Sequence, residues 1–198
     1  MSAPILLAPD DALRASNDLD DAVALIRAAM VAAPAETHRR RILDFLEDHP
    51  DALHRSCGAG HLTGSALVAD PYGEQVVVLH HRKLDRWLQP GGHCDGDANL
   101  AAVALREATE ETGRDDLRVH PVAVDTDVHR VAPPGEEPHL HLDVRFLVVA
   151  TAGIGPLPGN HESHAVRWAR PDELPSLGAD ESLLRLTSQA LRVLRRED

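Results

Sequence analysis

A chain of 198 residues with 43% hydrophobic and 26% charged side chains has the composition of an ordinary globular protein, long enough for one domain and an appendage. Its formal net charge of −12 excludes the basic face that a large nucleic-acid footprint needs, and no apolar run is long enough to cross a membrane as a helix. Two cysteines, Cys57 and Cys94, cannot make a disulfide framework, and the N-terminus lacks the basic-then-apolar order of a leader, so a cytoplasmic protein is expected.

In chain order, residues 17–33 predict a helix opened by Asn17 or Asp18, with Val23, Ile26 and Met30 at helical spacing. Residues 35–47 predict a second, with Ile42, Phe45 and Leu46 apolar, ended by Pro50 and Asp51. Gly58 and Gly60 mark a change of texture and divide an N-terminal helical extension, 1–57, from a domain over 58–198. Strands are expected at 61–70 and 75–82 around a turn, followed by a Gly- and Pro-bearing loop at 89–96. A helix over 98–112 is closed by Gly113. Two more strands, 119–130 and 139–150, precede a loop at 151–163, a short strand at 165–169, a turn of helix and a terminal amphipathic helix at 181–195. Strands and helices interleave without strict βαβ periodicity, which predicts an α/β (α+β) fold with a mixed sheet between helices.

The chemistry is concentrated between Gly91 and Gly113. At ~100° per residue, Glu107, Glu110 and Glu111 fall within roughly a 100° arc of one helix. Ala101, Leu105, Ala108 and Thr112 form a small, apolar opposite stripe that suits close packing on a sheet. Three carboxylates on one face repel one another, and the C-terminal half of a helix disfavours negative charge. A hard divalent cation held by oxygen ligands would compensate. Arg106 is also within reach of a neighbouring carboxylate. Gly91 and Gly92 before the helix permit a tight turn and a bare carbonyl.

Gly92, Arg106, Glu107, Ala108, Glu110, Glu111 and Gly113 match in register the box G-x5-E-x7-R-E-U-x-E-E-x-G-U, where U is aliphatic, and the chain thereby resembles the Nudix hydrolases. Two positions depart from the box: Ala98 stands where the first Glu is expected, and Arg114 where the last aliphatic residue is expected. Asp97 is expected to cap the helix. The wider H-H-R-K-L-x-x-W-L-Q-P-G-G-H-x-D-G-D pattern resembles a bacterial subgroup of that family.

The resemblance implies a complete Nudix fold over 58–198 and hydrolysis of a diphosphate linkage in a nucleoside diphosphate joined to another moiety X. It implies Mg²⁺, or Mn²⁺, held by Glu107, Glu110 and Glu111 with the Gly92 carbonyl. Arg106 would orient Glu107 or Glu110. The general base would come from the box or from a later loop, where Glu162 is the candidate beside Glu110. Substrate contacts are expected from Arg82, His93, His141, Asp143 and Arg145. The last three share one face of a strand with His139, opposite Leu140, Leu142, Val144 and Phe146. Trp87 is a candidate for stacking on a base.

Other readings are weaker. Asp95, Asp97 and Asn99 have EF-hand spacing, but Leu100 and Arg106 fall where Gly and Glu are required. No paired Cys or His framework of a zinc finger is present. Diphosphate isomerisation would need a cysteine in its own motif, which Cys57 and Cys94 lack. The remaining alternative is a non-catalytic nucleotide- or partner-binding module, against which the intact R-E-x-x-E-E counts. The N-terminal helices have no helix-turn-helix signature and are expected to pack on the domain or to form a homodimer contact.

Overall fold

The computed structural model describes residues 7–132, 135–161 and 163–195. Its helices are α1 (Leu19–Ala28), α2 (Ala33–Asp48), α3 (Leu100–Thr112) and α4 (Glu181–Arg195). The strands are β1 (Gly60–Ala69), β2 (Val76–His81), β3 (Arg86–Leu88), β4 (Gly91–His93), β5 (Leu117–Val119), β6 (Asp125–Val131), β7 (His139–Ala150) and β8 (Ser163–Ala169).

All eight strands join one mixed sheet. Its centre is the parallel pair β1 and β7, in register from Gly60 opposite Leu140 to Ala69 opposite Val149. The other edge of β1 is shared by β4, at Thr63–Ser65, and by β2, at Ala69. Likewise β6 and β5 divide the free edge of β7, while β3 and β8 pair with β2. The centre of the sheet is covered on both faces, which explains the long apolar run that ends β7.

Alternation along the central strands separates two cores. Leu62, Ala66, Val68, Leu142, Val144 and Phe146 face α1, α2 and α3. Leu67, Leu147 and Val149 face α4 and the turn of 3-10 helix at Pro171–Leu177. Residues before β1 are built into the first of these cores. Ile26, Ile42 and Leu46 are buried there, the Thr126 hydroxyl donates to the Ala35 carbonyl at 2.7 Å, and the Met30 amide donates to Ala123 at 2.8 Å. No helix among the described residues is long and apolar enough to cross a membrane.

Three expectations are corrected. The strand expected at 119–130 is two strands, β5 and β6, interrupted around Pro121, which has no amide to donate. The segment 89–96, read as a loop, contains β4, and β3 precedes it. Helix α3 starts at Leu100, not at 98, and its cap is Asn99, whose side chain accepts the Ala102 amide at 3.2 Å. Asp97 therefore does not cap it.

Helix α3 lies close to β1 because Gly64 faces it. A Cβ at Gly64 would stand 2.8 Å from Val103 Cγ1 and 3.1 Å from the Leu100 carbonyl oxygen, and backbone cannot rotate away. Gly64→Ala is expected to lower stability by about 1–3 kcal/mol, read as a fall in denaturation midpoint, by pushing α3 off the sheet.

Candidate functional site

The carboxylates of α3 meet the backbone of β4. Within the antiparallel pairing of β1 and β4, the Ala66 amide donates to the Pro90 carbonyl at 2.9 Å, and the hydrogen-bonded positions then alternate. The backbone groups of Gly91 and His93 consequently point away from β1 and towards α3. The Gly91 amide donates to Glu111 Oε2 at 2.8 Å, and Arg106 donates to the His93 carbonyl at 2.9 Å. The same Arg106 nitrogen donates to Glu107 Oε1 at 3.0 Å, so of the two expected partners it fixes Glu107. A Cβ on Gly92 would fall 2.3 Å from Glu107 Oε2, so only glycine lets the carboxylate rest against the strand.

Two details go beyond what helical spacing indicates. Glu111 is only 5% exposed, sits on the buried side of α3 and is anchored to β4, whereas Glu107 is partly buried and Glu110 exposed. The alternation also turns the Gly92 carbonyl towards β1. The carbonyl left facing outward, on the side of the Gly91 amide and Glu111, is that of Gly91.

Gly113 ends α3 in the left-handed conformation, with φ 71° and its amide on the Thr109 carbonyl. Arg114, in place of an aliphatic residue, is buried; its guanidinium makes a two-pronged contact with Asp116 at 2.8 Å and lies 5.7 Å over the Trp168 ring. Ala98, in place of the first Glu of the box, is fully buried, and its amide donates to the Ser16 carbonyl at 2.6 Å. Asp97 Oδ1 accepts the amides of Ser16, at 3.1 Å, and Asn99, at 2.9 Å. Asn99 in turn donates to the carbonyls of Ala12 and Arg14. The loop before α3 is thus held by the N-terminal segment, a contact over more than eighty residues that sequence spacing does not reveal.

The other face of the sheet carries the remaining polar residues. His139, His141, Asp143 and Arg145 do share it, but Asp143 and Arg145 are buried. Arg145 ion-pairs with Asp125 and approaches Asp127 at 3.6 Å, while Arg185 from α4 reaches Asp125 at 3.1 Å and Asp127 at 2.9 Å. The hydroxyls of Thr63 and Ser65 donate to Asp143 Oδ1 at 2.9 and 2.8 Å. Burial pushes the Asp143 carboxyl above its usual range, against the pull of Arg145. Burial also opposes ionisation of Asp127, yet hydrogen bonds from His129 and Arg185 and the charge of Arg145 hold it well below the usual range. The expectation that Asp143 and Arg145 meet substrate is therefore corrected: their charged groups are engaged inside the sheet–α4 interface.

Beyond Asp143 the same face ends in imidazoles that sequence spacing only partly disclosed. His61 stands directly opposite His141 in the β1–β7 register, and His93, His129 and His139 surround them. Burial, reinforced by neighbouring imidazoles, pushes His61 down to about 4 and His141 down to about 3. Arg82 is exposed at the end of β2 and donates to the Ser163 carbonyl at 3.3 Å. Glu162 lies outside the described residues.

A NUDIX domain model matches residues 61–190, which contain β4, the carboxylates of α3 and the imidazoles, but not the N-terminal segment that holds the loop before α3. The chain belongs to the Nudix family. Solved structures share the fold at low identity. An Ap4A hydrolase of C. elegans, in a binary complex, is 16% identical with a TM-score of 0.55 over 68% of this chain and 98% of that one. RenU, a Nudix hydrolase of M. smegmatis, is 21% identical with a TM-score of 0.51 over 70% and 88%. A NUDIX-family hydrolase of Clostridium perfringens is 20% identical with a TM-score of 0.50 over 70% and 98%. Comparison with curated proteins finds no match. As a Nudix enzyme the chain is a diphosphate hydrolase, of a family that generally uses divalent metal ions.

Two outcomes test this description. Asp97→Ala removes the acceptor of two amides and is expected to cost about 1–2 kcal/mol of stability, with turnover falling more than KM rises, as checked by melting and steady-state kinetics. Acid should destabilise the fold through His61 and His141. Both hold a proton less readily in the folded chain than at the ordinary imidazole value of about 6.5, so below that pH the unfolded chain binds protons the folded chain does not. Stability is then lost as pH falls from about 6.5 towards 4, His61 accounting for roughly 2 kcal/mol by pH 5, and His61→Leu should flatten the slope of melting temperature against pH.

Proposed function

We propose that this Nudix enzyme catalyses Mg²⁺-dependent hydrolysis of the diphosphate in a nucleoside diphosphate linked to another moiety X, by attack of water on phosphorus. The observation that carries the reading is that Glu107 and Glu111 are held against the backbone of β4, with Glu110 exposed beside them on the same helix. The donor set suits a hard cation: Glu111 is held at the Gly91 amide, Glu107 lies against Gly92 where a Cβ would fill the space, and Glu110 adds a third carboxylate from the same stretch of α3. When bound there, the ion neutralises charge on the diphosphate oxygens and lowers the pKa of water.

The remaining roles belong to the chain. Arg106 holds Glu107 in one orientation through its bonds to Glu107 and to the His93 carbonyl. Glu111 is held by the Gly91 amide, so two of the three ligand carboxylates are oriented before an ion arrives. Glu110, exposed at the solvent side, is assigned the proton of the attacking water, with Glu162 the second candidate. His93 and Arg82 are assigned to substrate phosphate. Asp143 and Arg145 act from beneath, holding β1, β6 and β7 in place. Residues 1–57 serve as an extension that braces the loop before α3, on the domain formed by 58–198. A small-molecule nucleotide is the proposed substrate, since the acidic chain offers no basic face to a nucleic acid.

The test is release of phosphate and nucleotide from a panel of diphosphate compounds with and without Mg²⁺. Activity should require the metal and fall at least about a hundredfold in Glu110→Gln and in Glu111→Gln. A folded wild type that binds nucleotide and turns over no member of the panel would give the non-catalytic module the better claim.

A further inference from the structure

Three imidazoles stand on the face of the sheet opposite α3. His61 comes from β1, and His139 and His141, one residue apart on the same face of β7, from its parallel neighbour. Their ring centroids lie 4.9, 5.0 and 5.4 Å apart, and one nitrogen from each falls within 4.8 Å of the other two.

The hydrogen-bonding state of these rings is the second, independent observation. His61 is 2% exposed, and neither of its ring nitrogens has a hydrogen-bond partner of ordinary geometry; a marginal interaction with the Cys57 carbonyl does not satisfy them. The Nε2 of His141 is also buried without a partner. Buried polar atoms nearly always find partners, so a group left this way points to something that binds it. His139 is already in ligand form. Its Nδ1 lies 2.8 Å from the Glu137 carbonyl, which can only accept, so the proton is on Nδ1 and the Nε2 lone pair is free. This is the outer-shell bond that orients metal-binding histidines.

We propose that His61, His139 and His141 form a binding site for a divalent transition metal ion that prefers imidazole, with Zn²⁺ as the probe, separate from the carboxylate cluster on α3. Nitrogen ligands at about 2.1 Å around a tetrahedral ion stand about 3.4 Å apart, which small rotations of three rings already within 4.8 Å achieve. The fourth position falls to water or to His93, whose ring lies 4.9 Å from His61 and 5.3 Å from His141. Imidazole suits Zn²⁺, Ni²⁺ and Co²⁺, whereas Mg²⁺ seeks oxygen, so the two clusters select different ions. They are also held apart by β4: the side-chain position of Gly92 faces Glu107, and the next residue, His93, faces the imidazoles.

The experiment uses the full chain, stripped of metal by a chelator and kept in a large excess of Mg²⁺ to occupy the carboxylates. Zn²⁺ is titrated against a chromophoric chelator, and Co²⁺ by its visible ligand-field absorption. One equivalent should bind, with the absorption of four- or five-coordinate Co²⁺ and a Zn²⁺-dependent rise in melting temperature. His61→Ala and His141→Ala should each weaken binding at least about a hundredfold, since even an outer-shell partner is worth ten- to a hundredfold. His139→Ala, at the first residue of β7, removes the third ligand and should act alike. A Glu107→Gln/Glu111→Gln variant should keep the site. Absence of binding in excess Mg²⁺ would overturn the proposal, as would binding that the glutamine variant abolishes and the histidine variants spare.

Discussion

The hydrogen bond from the Gly91 amide to Glu111, and the contact of Glu107 with the bare α-carbon of Gly92, tie an acidic helix to the edge of a sheet. The rest of the site depends on this junction. Like charges at Glu107, Glu110 and Glu111 disfavour the helix locally, and the helix dipole adds to the cost at its C-terminal half. An amide donor and a guanidinium bonded to both Glu107 and the strand offset that cost in part. Each requires α3 to approach backbone instead of side chains. Gly64 and Gly92 permit it, one under the first turn of the helix and one beside its carboxylates.

The helix and its glycines were legible in sequence because they depend on near neighbours. Helical spacing placed the three glutamates together, and Gly113 marks the end of α3 with a left-handed residue. The bounds of β7 and α4 also follow from local pattern, an alternating strand that turns apolar and an amphipathic helix. The burial of Glu111 was not legible, because an arc on a helical wheel says nothing about a strand arriving from twenty residues earlier. Strand β4 itself, three residues with two glycines, has no propensity to announce it; pairing with β1 makes it a strand. Asp97 and Ala98 were opaque for the same reason. Their partner is Ser16, and the loop that a glutamate would have supported from within is supported from the N-terminal segment instead.

The polar face of β7 shows how far alternation carries an inference. It placed His139, His141, Asp143 and Arg145 on one side, which the structure has, but it does not say what covers that side. Ser182 and Arg185 come from α4, and Asp125 and Asp127 from β6, so Arg145 meets a hydroxyl thirty-seven residues ahead and carboxylates eighteen to twenty behind, which it shares with Arg185. A buried network of this kind is weak evidence for stability, because desolvation offsets much of its attraction. Its effect is positional: the strands β6 and β7 can hold their register only where opposite charges meet, and a slip would leave a charge buried without a partner.

Register also governs β4. A short glycine-rich strand has little side-chain packing to stop it sliding by one residue, and such a slip would exchange its two faces. Gly92 would then face the imidazoles and His93 would be driven into Glu107, where a Cβ already falls within 2.3 Å of a carboxylate oxygen. The bonds that prevent this are the outward ones, Gly91 to Glu111 and His93 to Arg106. They belong to the same residues that gather the carboxylates, so the pairing that assembles the oxygen-rich side of β4 also decides which side the histidine takes. Losing either bond would loosen both faces at once, because between Pro90 and Cys94 only His93 presents a large side chain, and only to the imidazole face.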